Sequence, residues 1–241
     1  MGKVADGIYV IRGQDEFIPD SHTYILGEPL SGDCSLVDPG LMGKAPYKLG
    51  VLDDLGFERS SIRRVIMTHT HLDHIGCLPD ILTEIPDVEL WVHALEAEPL
   101  EKGDERTVYG MEMFRNMCQM QYGLKPGQFA FTVHRHLEGG ETVECGGAAW
   151  EVLHIPGHSV GGIALYNPAA RILIPGDVVY ADYAIGRFDL HGADPSALNN
   201  SLRRLAELDV DVLLPGHNRL VNDLPEGYIR STATQWEPHL R

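Results

Sequence analysis

The stretch Arg64-Val65-Ile66-Met67-Thr68-His69-Thr70-His71-Leu72-Asp73-His74 sets the reading of this chain. Its opening is an apolar, partly β-branched run of the kind that forms a strand. The strand leads directly into four potential metal ligands crowded into six positions, and a helical stretch around Ile75 to Leu82 follows. In extended backbone, side chains at i, i+2 and i+4 share a face, so His69, His71 and Asp73 are expected to project together while His74 enters as the helix begins. One short loop built this way can serve two adjacent ions.

Three other places repeat the design of a β-rich run, a Pro-Gly turn and a polar ligand: Ile155-Pro156-Gly157-His158, Ile174-Pro175-Gly176-Asp177 and Leu214-Pro215-Gly216-His217. Glycine lets the backbone turn sharply at a strand end, which aims the next side chain into a common crevice. Around these turns the chain reads as short strands at 8–11, 22–26 and 35–38, a helix near 44–55, and strands at 64–67 and 88–92. After a helical stretch at 107–121 come strands at 149–153, 162–166 and 171–174. Asp194 then serves as N-cap and Pro195 as first residue of a helix with Leu198, Leu202 and Leu205 on one face, and a last strand spans 212–214. Strands then helix, twice over, give an α+β class: a four-layer αβ/βα sandwich of two packed mixed sheets with helices outside. No linker or repeat divides the chain, so residues 1–241 are expected to form one domain.

The ordered series H-x-H-x-D-H, P-G-H, G-D and P-G-H resembles that of the metallo-β-lactamase fold hydrolases and spans nearly the whole chain. Carried over residue by residue, the resemblance implies His69, His71 and His158 on a first metal and Asp73, His74 and His217 on a second, with Asp177 bridging. Asp38, in Val37-Asp38-Pro39-Gly40, matches the acidic residue that supports ligand orientation from behind the site. The implied cofactors are two divalent ions, zinc first, with iron or manganese as alternatives because His/Asp sites accept all three.

Such a pair polarises water into a bridging hydroxide able to attack a carbonyl or phosphorus, with Asp73 and Asp177 as the catalytic carboxylates of the centre. The charge of two divalent cations exceeds that of these carboxylates and one hydroxide, so the crevice accepts an oxyanion. The expected activity is hydrolysis of an ester, a hydroxyacylglutathione-like thioester or a lactone, with small phosphodiesters as side substrates. The stretch Ile185-Gly186-Arg187-Phe188-Asp189 resembles glyoxalase II-like members, with Phe188 in place of their Thr and Ala193 in place of the Gly before Asp194. Residues 1–241 lack the basic C-terminal helical region with which full-length glyoxalase II grips glutathione, so a broader acyl range is expected. A lactone-specific, acyl-homoserine-lactonase-like hydrolase and a mononuclear-iron sulfur dioxygenase are the alternatives. Tyr180, Tyr183 and Arg187 are candidate substrate contacts. The Met-rich segment 107–121, with Met113 and Met117, is expected to line either the site or a homodimer interface.

With 19 Lys and Arg against 35 Asp and Glu, the formal net charge of −16 repels phosphate backbones and anionic lipid. A small-molecule substrate is therefore expected, with neither nucleic acid nor membrane as partner. The N-terminus lacks the apolar core of a signal peptide and no apolar run is long enough to span a bilayer, which makes a cytoplasmic location the expectation. The four cysteines are widely spaced and are expected to be reduced and mostly buried. Seven further histidines have no motif order and are expected to be ordinary packed or surface residues, with His22 and His191 the first to check.

Overall fold

A computed structural model describes residues 1–14 and 18–240. Its first sheet runs in sequence order through β1 (Gly2–Ala5), β2 (Ile8–Ile11), β3 (Thr23–Leu26), β4 (Cys34–Val37), β5 (Ile62–Ile66), β6 (Glu89–His93) and β7 (Arg135–Leu137). Pairing is antiparallel as far as β4 and parallel from β4 to β7. The second sheet has the reverse order, β12 (Val212–Leu213), β11 (Ile172–Ile174), β10 (Ile163–Asn167), β9 (Ala148–His154) and β8 (Thr142–Cys145), with only the β11–β12 pair parallel.

Period-2 alternation along these strands divides the apolar side chains among three layers of core. Tyr24, Leu26, Ile66, Val152, Leu165, Ile172 and Ile174 meet between the sheets. Ile25, Leu36, Val65 and Leu90 point outward onto α1 (Ala45–Asp54) and α3 (Leu78–Glu84). On the far side Leu153, Tyr166 and Leu173 pack under α7 (Pro195–Leu205) and α8 (Tyr228–Trp236). The result is the expected sandwich of two mixed sheets with helices outside. Asp194 caps α7 through Oδ1, which accepts from Ala197 N at 3.0 Å. Leu198, Leu202 and Leu205 are buried as read from their spacing, each contributing about 1.5–3 kcal/mol of burial.

The Met-rich stretch departs from a single helix. Gly110, at φ 69°, breaks it into α5 (Arg106–Tyr109) and α6 (Glu112–Tyr122). The stretch after the histidine loop is likewise two pieces, α2 (Leu72–Ile75) and α3. All four cysteines are free and buried. No helix among the described residues is long and apolar enough to cross a membrane.

Candidate metal centre

The ligand-bearing turns come to one edge of the sandwich because the strands before them are in register. Val37 pairs with Ile66 and Leu173 with Leu213, so the loops after β4, β5, β11 and β12 leave the sheets together. Ile163 N donates to Thr68 O at 2.8 Å, Leu214 N to Leu173 O at 2.8 Å and Gly216 N to Gly176 O at 2.9 Å. The first of these bonds ties the two sheets at the loop edge, and the other two, within the second sheet, set the G-D and P-G-H turns side by side.

Gly157 and Gly176 take positive φ, 128° and 52°, as a sharp turn requires. Gly216 does not. It serves by lacking a side chain, since a Cβ there would overlap Asp177 Oδ1.

His69, His71 and His158 form one buried group. His158 Nε2 stands 2.9 Å from His71 Nδ1 and 3.2 Å from His69 Nε2, with the three rings nearly perpendicular to one another. Nitrogens bound tetrahedrally at ~2.0–2.1 Å to one cation would stand roughly 3.3 Å apart, close to this spacing.

Asp73, His74, Asp177 and His217 form the second group. His217 Nε2 is 3.1 Å from Asp73 Oδ2 and 3.4 Å from Asp177 Oδ2, and His74 Nε2 is 3.3 Å from Asp177 Oδ1. Asp177 Oδ2 also lies 3.7 Å from His158 Nε2, which puts this carboxylate between the groups. Extended geometry does not carry through to Asp73. The chain is extended at His71 (φ −64°, ψ 151°) and helical from Leu72, which swings Asp73 away from His69 and His71 to join His74.

The remaining nitrogens fix the rings. His74 Nδ1–H donates to Asp38 Oδ2 at 2.9 Å, and His158 Nδ1–H to Arg187 O at 2.7 Å. Thr68 Oγ1–H donates to Asp38 Oδ2 at 2.6 Å, which leaves the Thr68 Oγ1 lone pairs to accept from His69 Nδ1–H at 3.1 Å. Nε2 of all three imidazoles thus faces the centre, in the orientation that ligates a cation. Asp38 therefore stands behind the site, as its match to the family motif implied.

Two residues that motif reading passed over hold the frame. Glu96, buried in α4 (Ala94–Glu101), accepts from Thr70 N and Thr70 Oγ1, each at 2.7 Å, and from Gly161 N at 3.0 Å. Lys48, buried in α1, pairs with Asp20 at 3.2 Å and donates to Ser21 O at 2.6 Å beneath the same loops. Neither sits in a turn motif. The one signal available was a charged residue on an otherwise buried helix face.

Electrostatics sort the groups. Burial holds His69 well below its ordinary pKa and His71 down to about 3, so both are neutral. For His217 burial acts downward, but Asp177 and Asp73 outweigh it and raise the imidazole to about 10. His74 is likewise lifted well above its usual range, by Asp177, Asp38 and Asp73 against burial. Burial acts upward on Asp73, yet the His74 and His217 charges bring it to about 2, and Asp177 is held low by His217 and His74. Without a cation the second group is a set of imidazolium–carboxylate pairs, whose protons leave when a cation takes their place.

The residues fit a pair of divalent cations. His74 Nε2, Asp177 Oδ1 and His217 Nε2 are buried within ion-pair distance of one another but make no well-directed hydrogen bond, as expected of atoms arranged to converge on a cation. His69, His71 and His158 would hold one ion and Asp73, His74 and His217 the other, with Asp177 shared.

Beside the centre lies a cavity of about 560 Å³. Val108, Tyr109, Met111, Phe114, Met117 and Leu190 make its apolar wall, so the Met-rich segment does line the site. Met113 does not. Met113, in the first turn of α6, is 76% exposed, while Phe114 and Met117 face the cavity. Tyr180 and Arg187 line the cavity as expected, but Tyr183 lies outside it, 42% exposed and stacked on Tyr228 with ring centroids 4.5 Å apart. Burial, then Asp177, push the Tyr180 phenol well up, so it stays neutral. The Arg187 guanidinium is paired with Asp189 through two bonds of 2.9 Å. His22 is buried and bonded at both ring nitrogens, whereas His191 is exposed.

The chain belongs to the metallo-β-lactamase superfamily, whose family model matches residues 20–217. It is a metallo-hydrolase of that superfamily carrying a His/Asp site able to bind metal. It is similar to the hydroxyacylglutathione hydrolase GloC of Haemophilus influenzae, 28% identical over 77% of this chain and 80% of that one. Similarity also extends to the human acyl-coenzyme A thioesterase MBLAC2, 31% identical over 71% of this chain and 62% of that protein, less than two thirds of its length. Among solved structures, TTHA1623 in a di-iron-bound form superposes with a TM-score of 0.65 at 28% identity, over 88% of this chain and 93% of that one.

Proposed function

We propose that the protein is a dinuclear metal-dependent hydrolase of acyl esters, thioesters or lactones whose acyl arm is apolar. The observation that carries this reading is the juxtaposition of the seven-ligand centre with the apolar wall of the same cavity. Two divalent cations bound there would acidify water near neutral pH and draw charge from a carbonyl oxygen. Zinc, iron and manganese all suit the donor set.

The chain's own residues do the rest. His69 and His71 present neutral nitrogens, His158 turns its Nε2 to the same point, and Asp38 holds His74 in the ligating tautomer. Asp177, between the groups, aligns whatever they share. Tyr180, neutral and beside Asp177, offers a phenolic O–H to a substrate oxygen. The wall from Val108 to Met117 takes up an acyl chain and excludes water, its methionines adapting to different shapes.

Two features support an apolar acyl arm over a glutathione conjugate. Arg187 is the one Lys or Arg among the described residues lining the cavity, and its guanidinium already faces Asp189. The two carboxylates of glutathione would find no free cation there. The names of GloC and MBLAC2 support thioester chemistry in general. The net charge of −16 supports a small-molecule substrate over nucleic acid or a membrane surface. The complete second group speaks for hydrolysis over a one-iron dioxygenase.

A lactone with an acyl tail is the second reading, favoured by the same wall. The test is a side-by-side kcat/KM comparison of S-lactoylglutathione, acyl thioesters of increasing chain length and acyl-tailed lactones, with wild-type and Phe114→Ala protein. Chain length is expected to raise kcat/KM at least tenfold in the wild type and less in the variant, by way of KM. A preference for S-lactoylglutathione with no response to chain length would contradict the apolar-arm reading. Which of long thioester or lactone leads separates the two readings.

A further inference from the structure

His217 differs from His69, His74 and His158, because its Nδ1 is buried and has no hydrogen-bond partner to orient the ring. Its backbone, by contrast, is held on both sides. Tyr24 Oη donates to Pro215 O at 2.6 Å and His22 N donates to Gly216 O at 2.7 Å. His22 Nδ1 accepts from Gly13 N at 2.9 Å, which fixes the tautomer, so Nε2–H donates to Asn218 O at 2.7 Å. The carbonyls of 215, 216 and 218 are thus all engaged from the start of one strand, β3, and its approach. Asn218 takes φ 68°, a conformation unfavourable for most residues, and its carbonyl is the one His22 holds.

We propose that His22 and Tyr24 are positioning residues for His217, replacing with a backbone clamp the Nδ1 partner that His69, His74 and His158 have. The inference rests on reading Asp73, His74, Asp177 and His217 as a cation site. It makes the second group specifically dependent on β3, while His69, His71 and His158 depend on Thr68, Arg187 O and Glu96 instead.

Loss of a residue that orients a ligand typically costs 10–100-fold in metal affinity. The test uses full-length protein purified with its metals and dialysed against graded concentrations of a chelator, with metal per chain counted by emission spectrometry. Wild type is expected to release two equivalents. His22→Ala and Tyr24→Phe are expected to release one of them at about tenfold lower chelator concentration and the other at the wild-type concentration. His22→Gln, whose amide N–H2 can reach Asn218 O, is expected to return the weaker equivalent to within about threefold of wild type. Tyr24→Phe removes a single hydroxyl, so it keeps the test decisive if His22→Ala does not fold. Unchanged release in His22→Ala and Tyr24→Phe, or an equal fall of both equivalents, would overturn the clamp. Wild type that holds fewer than two equivalents would instead overturn the cation reading beneath it.

Discussion

Gly216 packs so closely on Asp177 that a Cβ built at 216 would overlap the carboxylate Oδ1 and stand 2.8 Å from His74 Cε1. The turn that delivers His217 therefore also makes room for Asp177. Gly216→Ala is expected to displace both Asp177 and His74, with loss of one metal equivalent and at least a 100-fold fall in kcat/KM. Metal counting and steady-state kinetics check this. A variant within twofold of wild type in both would show that the loop gives way without harm.

Glu96 concerns stability. Replacing it with Ala leaves Thr70 N, Thr70 Oγ1 and Gly161 N as buried donors without an acceptor. The expected cost is about 3–5 kcal/mol in urea unfolding, with Glu96→Gln losing less because one amide oxygen remains. A loss under 1 kcal/mol in Glu96→Ala would mean that water or another group replaces the carboxylate.

Asp38→Asn isolates electrostatics from backbone strain. Asp38 sits at φ 55°, which Asn adopts readily, so the fold is expected to persist. The amide retains one acceptor oxygen and places N–H2 where the carboxylate now receives His74 Nδ1–H and Thr68 Oγ1–H. Metal affinity is expected to fall 10–100-fold, read by chelator competition, at a Tm within a few degrees of wild type. Unchanged affinity would remove Asp38 from the support of His74.

Acid sensitivity has a component at His22. Burial lowers its pKa to about 4, with the Asn218 carbonyl acting against that and the positive charges of His217, Lys48 and Arg12 adding to it. The unfolded chain, at the ordinary value near 6.5, takes up the proton first as pH falls. Stability from this residue is therefore full above about pH 6.5 and declines towards pH 4, by on the order of 2–3 kcal/mol. Urea unfolding of wild type and His22→Gln between pH 7.5 and 4.5 is expected to show the shallower slope in the variant. Equal slopes would contradict the assignment.

All seven centre residues stood out in the sequence because each follows a strand through a short turn. Their division into two groups came from the family resemblance, and the extended spacing that set Asp73 beside His69 and His71 failed where the backbone turns helical at Leu72. The layers were legible as well: alternation in β3, β9 and β10 states which side chains face which core. Residues acting across the fold were not. Glu96 reaches Thr70 and Gly161 from a helix, and His22 and Tyr24 reach the 215–218 turn from β3, contacts that no local pattern encodes. Met113 and Tyr183 were placed at the cavity by proximity in sequence, but the first lies in the opening turn of α6 with its side chain in solvent. The second sits in a turn of positive φ, Asp182 at 59° and Tyr183 at 56°, that carries it onto Tyr228.

The most direct test is metal per chain measured on purified protein, followed through chelation alongside hydrolysis of an acyl thioester. Two equivalents, with hydrolysis disappearing as they are removed and returning when they are restored, are the predicted result. Hydrolysis that persists in metal-free protein, or full activity with a single equivalent, would contradict the dinuclear centre.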